Sequence, residues 1–257
     1  MTKVKICGIT NLEDARQAVA AGADLLGFIF YEPSPRYVSP KLVRDIVSGI
    51  RVQVSSRGWQ AVRSTSGALG PSLPEGQYQE PRLAGLVGVF VNASLETVSH
   101  ILNYCQLDAA QLHGEESPEF VNHFEGRAYK AMRPQSQADA DEFIQAYQRL
   151  APPACAFAGA LPCFLIDAYH PQLYGGTGRV TDWTVAANIA RHYPIMLAGS
   201  LTTANVAEAI RAVQPWGVDV SSGVEAAKGK KDHDKVRAFV RTVKNSAANS
   251  FQGEFNE

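Results

Sequence analysis

The stretch VKICGITNLEDARQAVAAGADLLGFIF, Val4 to Phe30, carries the pattern that decides the fold. Val4 to Cys7 is a short, mostly apolar run, Asn11 to Ala21 spaces its apolar residues as one face of a helix, and Leu25 to Phe30 is a second apolar run. Thr10 stands three residues before Glu13, as Asn205 does before Glu208 further on, and both are capping-box spacings. Gly22 follows the helix where a left-handed closing residue is wanted. A strand, a helix and a second strand in this order form a βαβ unit with parallel strands. Strands covered on both faces read as near-continuous apolar runs.

The unit repeats along the chain. Further strands are predicted at Leu86 to Val91, Ala109 to Leu112, Ala128 to Met132, Cys163 to Ile166, Ile195 to Ala198 and Gly217 to Val220. Helices are predicted at Pro40 to Ser48, Ser94 to Tyr104, Pro118 to Phe124, Ala138 to Leu150, Trp183 to Arg191, Asn205 to Val213 and Asp234 to Lys244. Eight strands alternating with eight helices predict an α/β chain folded as a single (β/α)8 TIM barrel over residues 1–245, with an open doubly wound sheet as the alternative. Gly49 to Leu83, rich in Gly, Ser, Pro and Gln, reads as a flexible insertion between the second helix and the third strand, where two to six residues ordinarily suffice. Ala151 to Pro162 is a smaller irregular stretch, and residues 246–257 read as a disordered tail.

Composition excludes several classes. Hydrophobic residues are 46% and charged residues 19% of the 257, which is enough to fill a large core and not the balance of a disordered chain. With 24 Lys and Arg against 25 Asp and Glu the net charge is −1, so no basic field favours nucleic acid or an anionic membrane. Any anion must be gripped locally. Cys7, Cys105, Cys155 and Cys163 form no C-x-x-C pair and no metal-binding spacing, which predicts a reduced, cytoplasmic protein without a metal site. No stretch approaches the ~18 apolar residues of a membrane span.

In such a barrel the chemistry sits at the C-terminal ends of the strands. Cys7 and Gly8 follow the first strand, Ser34, Pro35 and Arg36 the second, and His113 and Gly114 the fourth. Asp167 ends the sixth and precedes the glycine loop of Gly175, Gly176 and Gly178. Gly199 and Ser200 end the seventh, and Asp219, Ser221, Ser222 and Gly223 end the eighth. Small residues let backbone N–H groups converge on a phosphate, so three such clusters at neighbouring strand ends predict an anion grip. Cys7 reads either as a small buried side chain or as a thiol tuned by nearby positive charge. Asp167 either points into the mouth, where it can donate a proton, or meets a structural partner. Arg36 can pair with a ligand carboxylate or tie down its own loop. His113 reads as satisfied by a neighbouring loop, and Lys228, Lys230 and Lys231 as a solvated basic loop.

These residues fall within longer matches. KICGIT (Lys5 to Thr10), SPRYVS (Ser34 to Ser39), QLHGEE (Gln111 to Glu116), FLIDAY (Phe164 to Tyr169), LAGSLTTANV (Leu197 to Val206) and DVSSGVE (Asp219 to Glu225) stand in the order of one family. With GGTG and the DW pair before the sixth helix, the chain resembles the phosphoribosylanthranilate isomerases of tryptophan biosynthesis over nearly all its length outside the insertion and tail. The resemblance implies an Amadori rearrangement of N-(5′-phosphoribosyl)anthranilate to 1-(2-carboxyphenylamino)-1-deoxyribulose 5-phosphate, the third step from chorismate to tryptophan. It implies Cys7 as general base and Asp167 as general acid. It also puts Arg36 near the anthranilate carboxylate. Gly176, Gly178, Gly199, Ser200, Asp219, Ser221, Ser222 and Gly223 are implied as the substrate- and phosphate-binding set. No metal and no redox cofactor is implied, because a proton moves and nothing leaves oxidised. The implied partner is the phosphosugar substrate, with no nucleic acid or membrane, for a monomer or homodimer.

Departures are Ser200 for a second glycine, Thr203 for a common proline, Val180 and Thr181 before the DW pair, the insertion, and AAKGK, which lengthens the eighth loop. Two rivals are a related phosphate barrel such as indole-3-glycerol-phosphate synthase and a non-catalytic phosphosugar-binding protein. The Cys-Gly after strand one and Asp167 at strand six argue against the first. The second has no need of Cys7 and Asp167 together.

Overall fold

In the computed structural model, which describes residues 1–51, 84–148, 161–167 and 183–249, the apolar runs pair as parallel strands in chain order and the eighth closes on the first. The strands are β1 (Lys3–Cys7), β2 (Leu25–Ile29), β3 (Gly85–Phe90), β4 (Ala109–Leu112), β5 (Ala128–Met132), β6 (Phe164–Ile166), β7 (Ile195–Leu197) and β8 (Gly217–Val220). Lys5 stands in register with Leu25 of β2 on one side and Asp219 of β8 on the other. That closure selects the barrel over the open sheet.

The helices are α1 (Leu12–Ala21), α2 (residues 40–51), α3 (Leu95–Tyr104), α4 (Pro118–Asn122), α5 (Gln137–Gln148), α6 (Trp183–Ala190), α7 (Val206–Val213) and α8 (His233–Asn249). Alternation along each strand separates two buried layers. Val4, Ile6, Leu26, Phe28, Leu86, Val218 and Val220 face the helices and join one large apolar core with Ala15, Ile46, Val98 and Phe239. Leu25, Val87, Ala109, Tyr129, Ala131, Leu165, Met196 and Ala198 pack as a second cluster. These alternate with the first set and fill the barrel interior.

Several boundaries differ from the sequence reading. The cap of α1 is Asn11, whose side chain accepts from Asp14 N at 2.8 Å, whereas the Thr10 hydroxyl donates to Gly229 O in a distant loop. Gly22 closes α1 in the left-handed region (φ 92°) as expected. Asn205 makes no side-chain cap of its helix. Its Oδ1 accepts from Thr202 N at 2.7 Å and its Nδ2 donates to Ser200 O at 3.1 Å, which locks the β7–α7 loop. Gly49, Ile50 and Arg51 continue α2, because Ile50 is buried in the outer core, and the rest of the predicted insertion lies outside the described residues. α8 runs through Asn249, past the predicted start of the tail at Ser246, whose hydroxyl donates to Thr242 O at 2.8 Å within the helix.

Cys7 and Cys105 are free thiols, but Cys163 is disulfide-bonded, which corrects the fully reduced reading. Spacing along a chain does not report which cysteines a fold brings together. Among the described residues no helix is long and apolar enough to cross a membrane.

Candidate active site

β1 ends where Gly8 turns the chain with φ 71°. A Cβ there would stand 2.7 Å from Arg36 Cδ and 3.0 Å from Ser221 Oγ, so the glycine lets the β2 and β8 loops close over the end of β1. The β2 loop is a built turn. Tyr37 N donates to Ser34 O, Val38 N donates to Ile29 O, and Ser34 Oγ accepts from Arg36 N at 3.2 Å. That turn brings Arg36 onto Glu225 as a bidentate pair, Nε to Oε1 at 2.7 Å and Nη2 to Oε2 at 2.8 Å. Arg36 therefore does tie two loops together. The Glu225 carboxylate keeps the guanidinium charged, and Arg36 with Lys231 outweighs burial to hold the Glu225 carboxyl below the usual range.

Lys231 corrects the solvated-loop reading. AAKGK folds as a two-stranded hairpin, β9 (Glu225–Ala227) with β10 (Lys230–Lys231), and this turns Lys231 inward while Lys228 and Lys230 stay exposed. Its ammonium donates to Glu225 Oε1 and to Ser221 O, each at 3.1 Å. Burial pulls its pKa below the ordinary value even though Glu225 opposes that.

The loops after β7 and β8 interlock. A Cβ on Gly223 would lie 1.9 Å from Leu201 O, so only glycine allows this approach. Gly199 and Ser200 both adopt positive φ, 90° and 53°. Ser200 thus holds a backbone conformation suited to glycine, at the position where the family usually has one. Ser222 and Gly223 lie in a short 3-10 turn beside them. These two small-residue clusters are brought together as predicted, while Gly176 and Gly178 lie outside the described residues.

Cys7 and Asp167 are both buried at their strand ends, 5% and 7% exposed. β1 and β6 stand three strands apart round the ring, so the two face each other across the mouth. Between them runs a polar chain inside the barrel. Lys5 Nζ donates to Gln111 Oε1 at 2.6 Å and to Asp219 Oδ2 at 3.2 Å, and Tyr129 Oη donates to the same Gln111 oxygen at 3.0 Å. Gln111 Nε2 lies 3.0 Å from His113 Nδ1. Because an ammonium can only donate, Gln111 presents its oxygen to Lys5 and its amide N–H to His113, whose Nδ1 accepts. The His113 proton is then on Nε2, 3.4 Å from Asp167 Oδ2. His113 is thus directed at the candidate acid, contrary to its reading as a loop-satisfied residue.

The β4 loop that carries His113 is held by Glu116, which accepts from Asn92 N at 2.8 Å and Gly114 N at 2.9 Å and pairs with Lys130 at 3.2 Å. Asp219 Oδ1 and Ser221 Oγ are buried and make no hydrogen bond among the described residues, as groups do that a ligand completes.

Lys5, Glu225 and Lys231 escaped the sequence reading. Their signal was present for Lys5 alone, a lysine inside an apolar strand, which must find partners if buried. Among the described residues no cluster of His, Cys, Asp or Glu could hold a metal ion.

Known proteins resemble this chain in sequence and fold. The family model "N-(5′-phosphoribosyl)anthranilate (PRA) isomerase" matches residues 75–242, more than half of the chain. A protein of Pelobacter propionicus named N-(5′-phosphoribosyl)anthranilate isomerase is 41% identical over 97% of this chain and 99% of its own length. The crystal structure of phosphoribosyl anthranilate isomerase from Thermotoga maritima superposes with a TM-score of 0.72 at 35% identity, over 95% of this chain and all of that one. Another isomerase structure, in complex with reduced 1-(o-carboxyphenylamino)-1-deoxyribulose 5-phosphate, gives 0.69 at 33% identity over 95% of this chain and 100% of that one. The chain belongs to the N-(5′-phosphoribosyl)anthranilate isomerase family.

Proposed function

We propose that Cys7 is the general base and Asp167 the general acid of this family's isomerisation. The reaction is the Amadori rearrangement of N-(5′-phosphoribosyl)anthranilate to 1-(2-carboxyphenylamino)-1-deoxyribulose 5-phosphate in tryptophan biosynthesis, and the chain is an intramolecular oxidoreductase of the aldose–ketose type. Asp167 gives its proton to the furanose oxygen, the C1′–O bond breaks, and the nitrogen lone pair forms an iminium at C1′. The Cys7 thiolate removes the C2′ proton, and the C–H electrons form the C1′=C2′ bond while the iminium is neutralised. Ketonisation moves the C2′ hydroxyl proton to C1′ and yields the aminoketose. Electrons shift within one molecule, so the chemistry calls for no redox cofactor.

The observation that carries this reading is the pair itself, a thiol and a carboxyl facing each other across one barrel mouth and joined through Lys5, Gln111 and His113. Arg36 gives its Nε and Nη2 edge to Glu225, which leaves Nη1 for the anthranilate carboxylate. The loops of Gly199, Ser200, Ser222 and Gly223 take the phosphate, and the family resemblance adds Gly176 and Gly178 to the phosphate-binding set. Asp219 and Ser221 offer their unpartnered oxygens to the sugar. The reduced product analogue held by a solved relative is a ligand of this shape and charge. The same reading puts the enzyme in the cytoplasm, as a monomer or homodimer. The test is turnover of phosphoribosylanthranilate followed by its fluorescence. Steady loss of substrate signal with enzyme is expected, and a rate equal to the uncatalysed one overturns the reading.

A further inference from the structure

A thiol buried at the mouth of a closed barrel is poorly placed to become a base, because burial disfavours the thiolate. Burial and the neighbouring Asp219 carboxylate both push the Cys7 thiol up, and Lys5 and Lys231 pull it back. The geometry singles out Lys5. A Cβ on Gly27 would lie 2.8 Å from Cys7 Sγ and 3.0 Å from Lys5 Cε, so sulfur and lysine stem converge over the space that this glycine leaves. The Lys5 ammonium has three N–H donors. One is committed to Gln111 at 2.6 Å and one to Asp219 at 3.2 Å, and the third is left for Cys7 and Tyr129, the other two groups with which the ammonium interacts. Lys231 is farther committed, to Glu225 and Ser221 O. Arg36 is bound to Glu225, and the Tyr129 hydroxyl is turned to Gln111. Asp167 and His113 bear on the site from β6 and β4 through Asp219.

We propose that Lys5 is the positioning residue of the base: its buried ammonium, fixed by Gln111 and Asp219, makes the Cys7 thiolate available and aims it, while Asp219 sets how much of that charge the sulfur feels. This rests on Cys7 as the base. The Lys5 ammonium stays protonated because Asp219, with Cys7 and Tyr129, more than offsets the burial that works against it. No proton leaves Lys5 in the cycle. It supplies charge, and the C2′ proton goes to sulfur.

Lys5 and Asp219 therefore act on Cys7 with opposite signs, which a merely structural pair would not do. The experiment titrates the thiolate by its ultraviolet absorbance, as the difference between each protein and the same protein carrying Cys7→Ser. Lys5→Met is expected to move the Cys7 midpoint up by about one pH unit or more, about tenfold less thiolate at neutral pH. Asp219→Asn is expected to move it down, and the acid limb of the kcat profile follows each shift. An unchanged midpoint in Lys5→Met, or an unchanged or raised midpoint in Asp219→Asn, overturns the proposal. If Lys5→Met does not fold with Asp219 left unpaired, Lys5→Met/Asp219→Asn removes both charges. Its midpoint must then lie above that of Asp219→Asn, and equality overturns the proposal. Full activity in Cys7→Ser would instead remove Cys7 as base and leave the titration as measured, so the two failures are told apart.

Discussion

On its outward face β1 sets Val4 and Ile6 among other apolar side chains, while its inward face sets Lys5 and Cys7 among Gln111, Tyr129 and Asp219. Both faces are buried, and they are held together by different physics. The outward layer is non-directional: it gains from every methylene removed from water and tolerates any arrangement of the right volume. The inward layer depends on direction. A buried ammonium and carboxylate are costly unless each finds its partners, so the interior specifies orientation at some expense of stability. Strands of one barrel thus divide the labour, fold stability outside and chemistry inside.

The largest expected effect breaks the inner layer. Cys7→Ser and Asp167→Asn are each expected to lower turnover by about 10²- to 10⁴-fold, the usual contribution of a general base or acid. Serine keeps the volume with far too weak an acid to become the base, and asparagine keeps the shape without a proton to give. Neither change touches the loops of Gly199 and Gly223, so a reduced product analogue should bind nearly as before. Steady-state kinetics with isothermal titration checks both halves. Cys7→Ser retaining more than about a tenth of wild-type turnover would return Cys7 to the role of a small buried side chain.

The mirror experiment breaks the outer layer. Phe28, fully buried against the helices, should cost about 3–5 kcal/mol of stability as Phe28→Ala. The protein that remains folded should keep its kcat. A denaturant melt and an activity assay on the same sample would show it. A kcat falling in step with stability would mean that the two layers are not separable.

This division also explains what could be read in the sequence. The outer layer writes itself as apolar runs of strand length and helical spacing, and all eight strands lie where those runs predict, to within a residue or two. The strand ends Cys7, Asp167, Ser200 and Gly223 were legible because a barrel assigns chemistry to such positions. The pairing of Lys5 with Gln111, Asp219 and Cys7 was not. Those residues come from β1, β4 and β8 and meet only when the sheet closes, and no local pattern encodes which strands face each other across a barrel. Lys231 was hidden for a related reason: three lysines in four residues look solvated, and only the β9–β10 hairpin with its shifted register turns one of them inward. Asn11 displaced Thr10 as the cap of α1 because Thr10 is drawn to the carbonyl of Gly229, a partner more than two hundred residues away in the chain.

Gly223 packs against Leu201 of the outer core in the turn after β8, and its replacement should disturb stability and binding by smaller amounts. The Cβ in Gly223→Ala would press on the Leu201 carbonyl, which is backbone and cannot swing aside. An overpacked contact of this kind costs about 1–3 kcal/mol. The phosphate grip proposed for the same two loops should loosen with it, raising KM by about tenfold or more with less change in kcat. Inorganic phosphate should also protect the variant less than wild type in a thermal melt. An unchanged KM would place the phosphate elsewhere on the rim.

The smallest effect is expected at the opposite end of the barrel, where the chain enters β2 and no chemistry is done. Asp24 accepts from Val4 N at 2.9 Å and from Lys3 at 3.1 Å, and it also pairs with Lys244 of α8. Burial alone would raise its pKa, but the hydrogen bond from Lys244, the Val4 amide and Lys3 together hold it below the usual carboxylate range. An unfolded aspartate titrates at about 3.9. Since the folded value is the lower one, the stabilisation is fully present above that pH and is lost as pH falls from about 4 through the folded pKa. For a carboxylate that is only half buried the amount is about 1 kcal/mol or less. Asp24→Asn should therefore be slightly less stable than wild type at neutral pH, and the gap should narrow as the pH is lowered below about 4. Paired melts across that range measure it. A gap that widens in acid would mean that Asp24 is protonated more readily in the fold than out of it, and that this end of the barrel is held by the apolar layer alone.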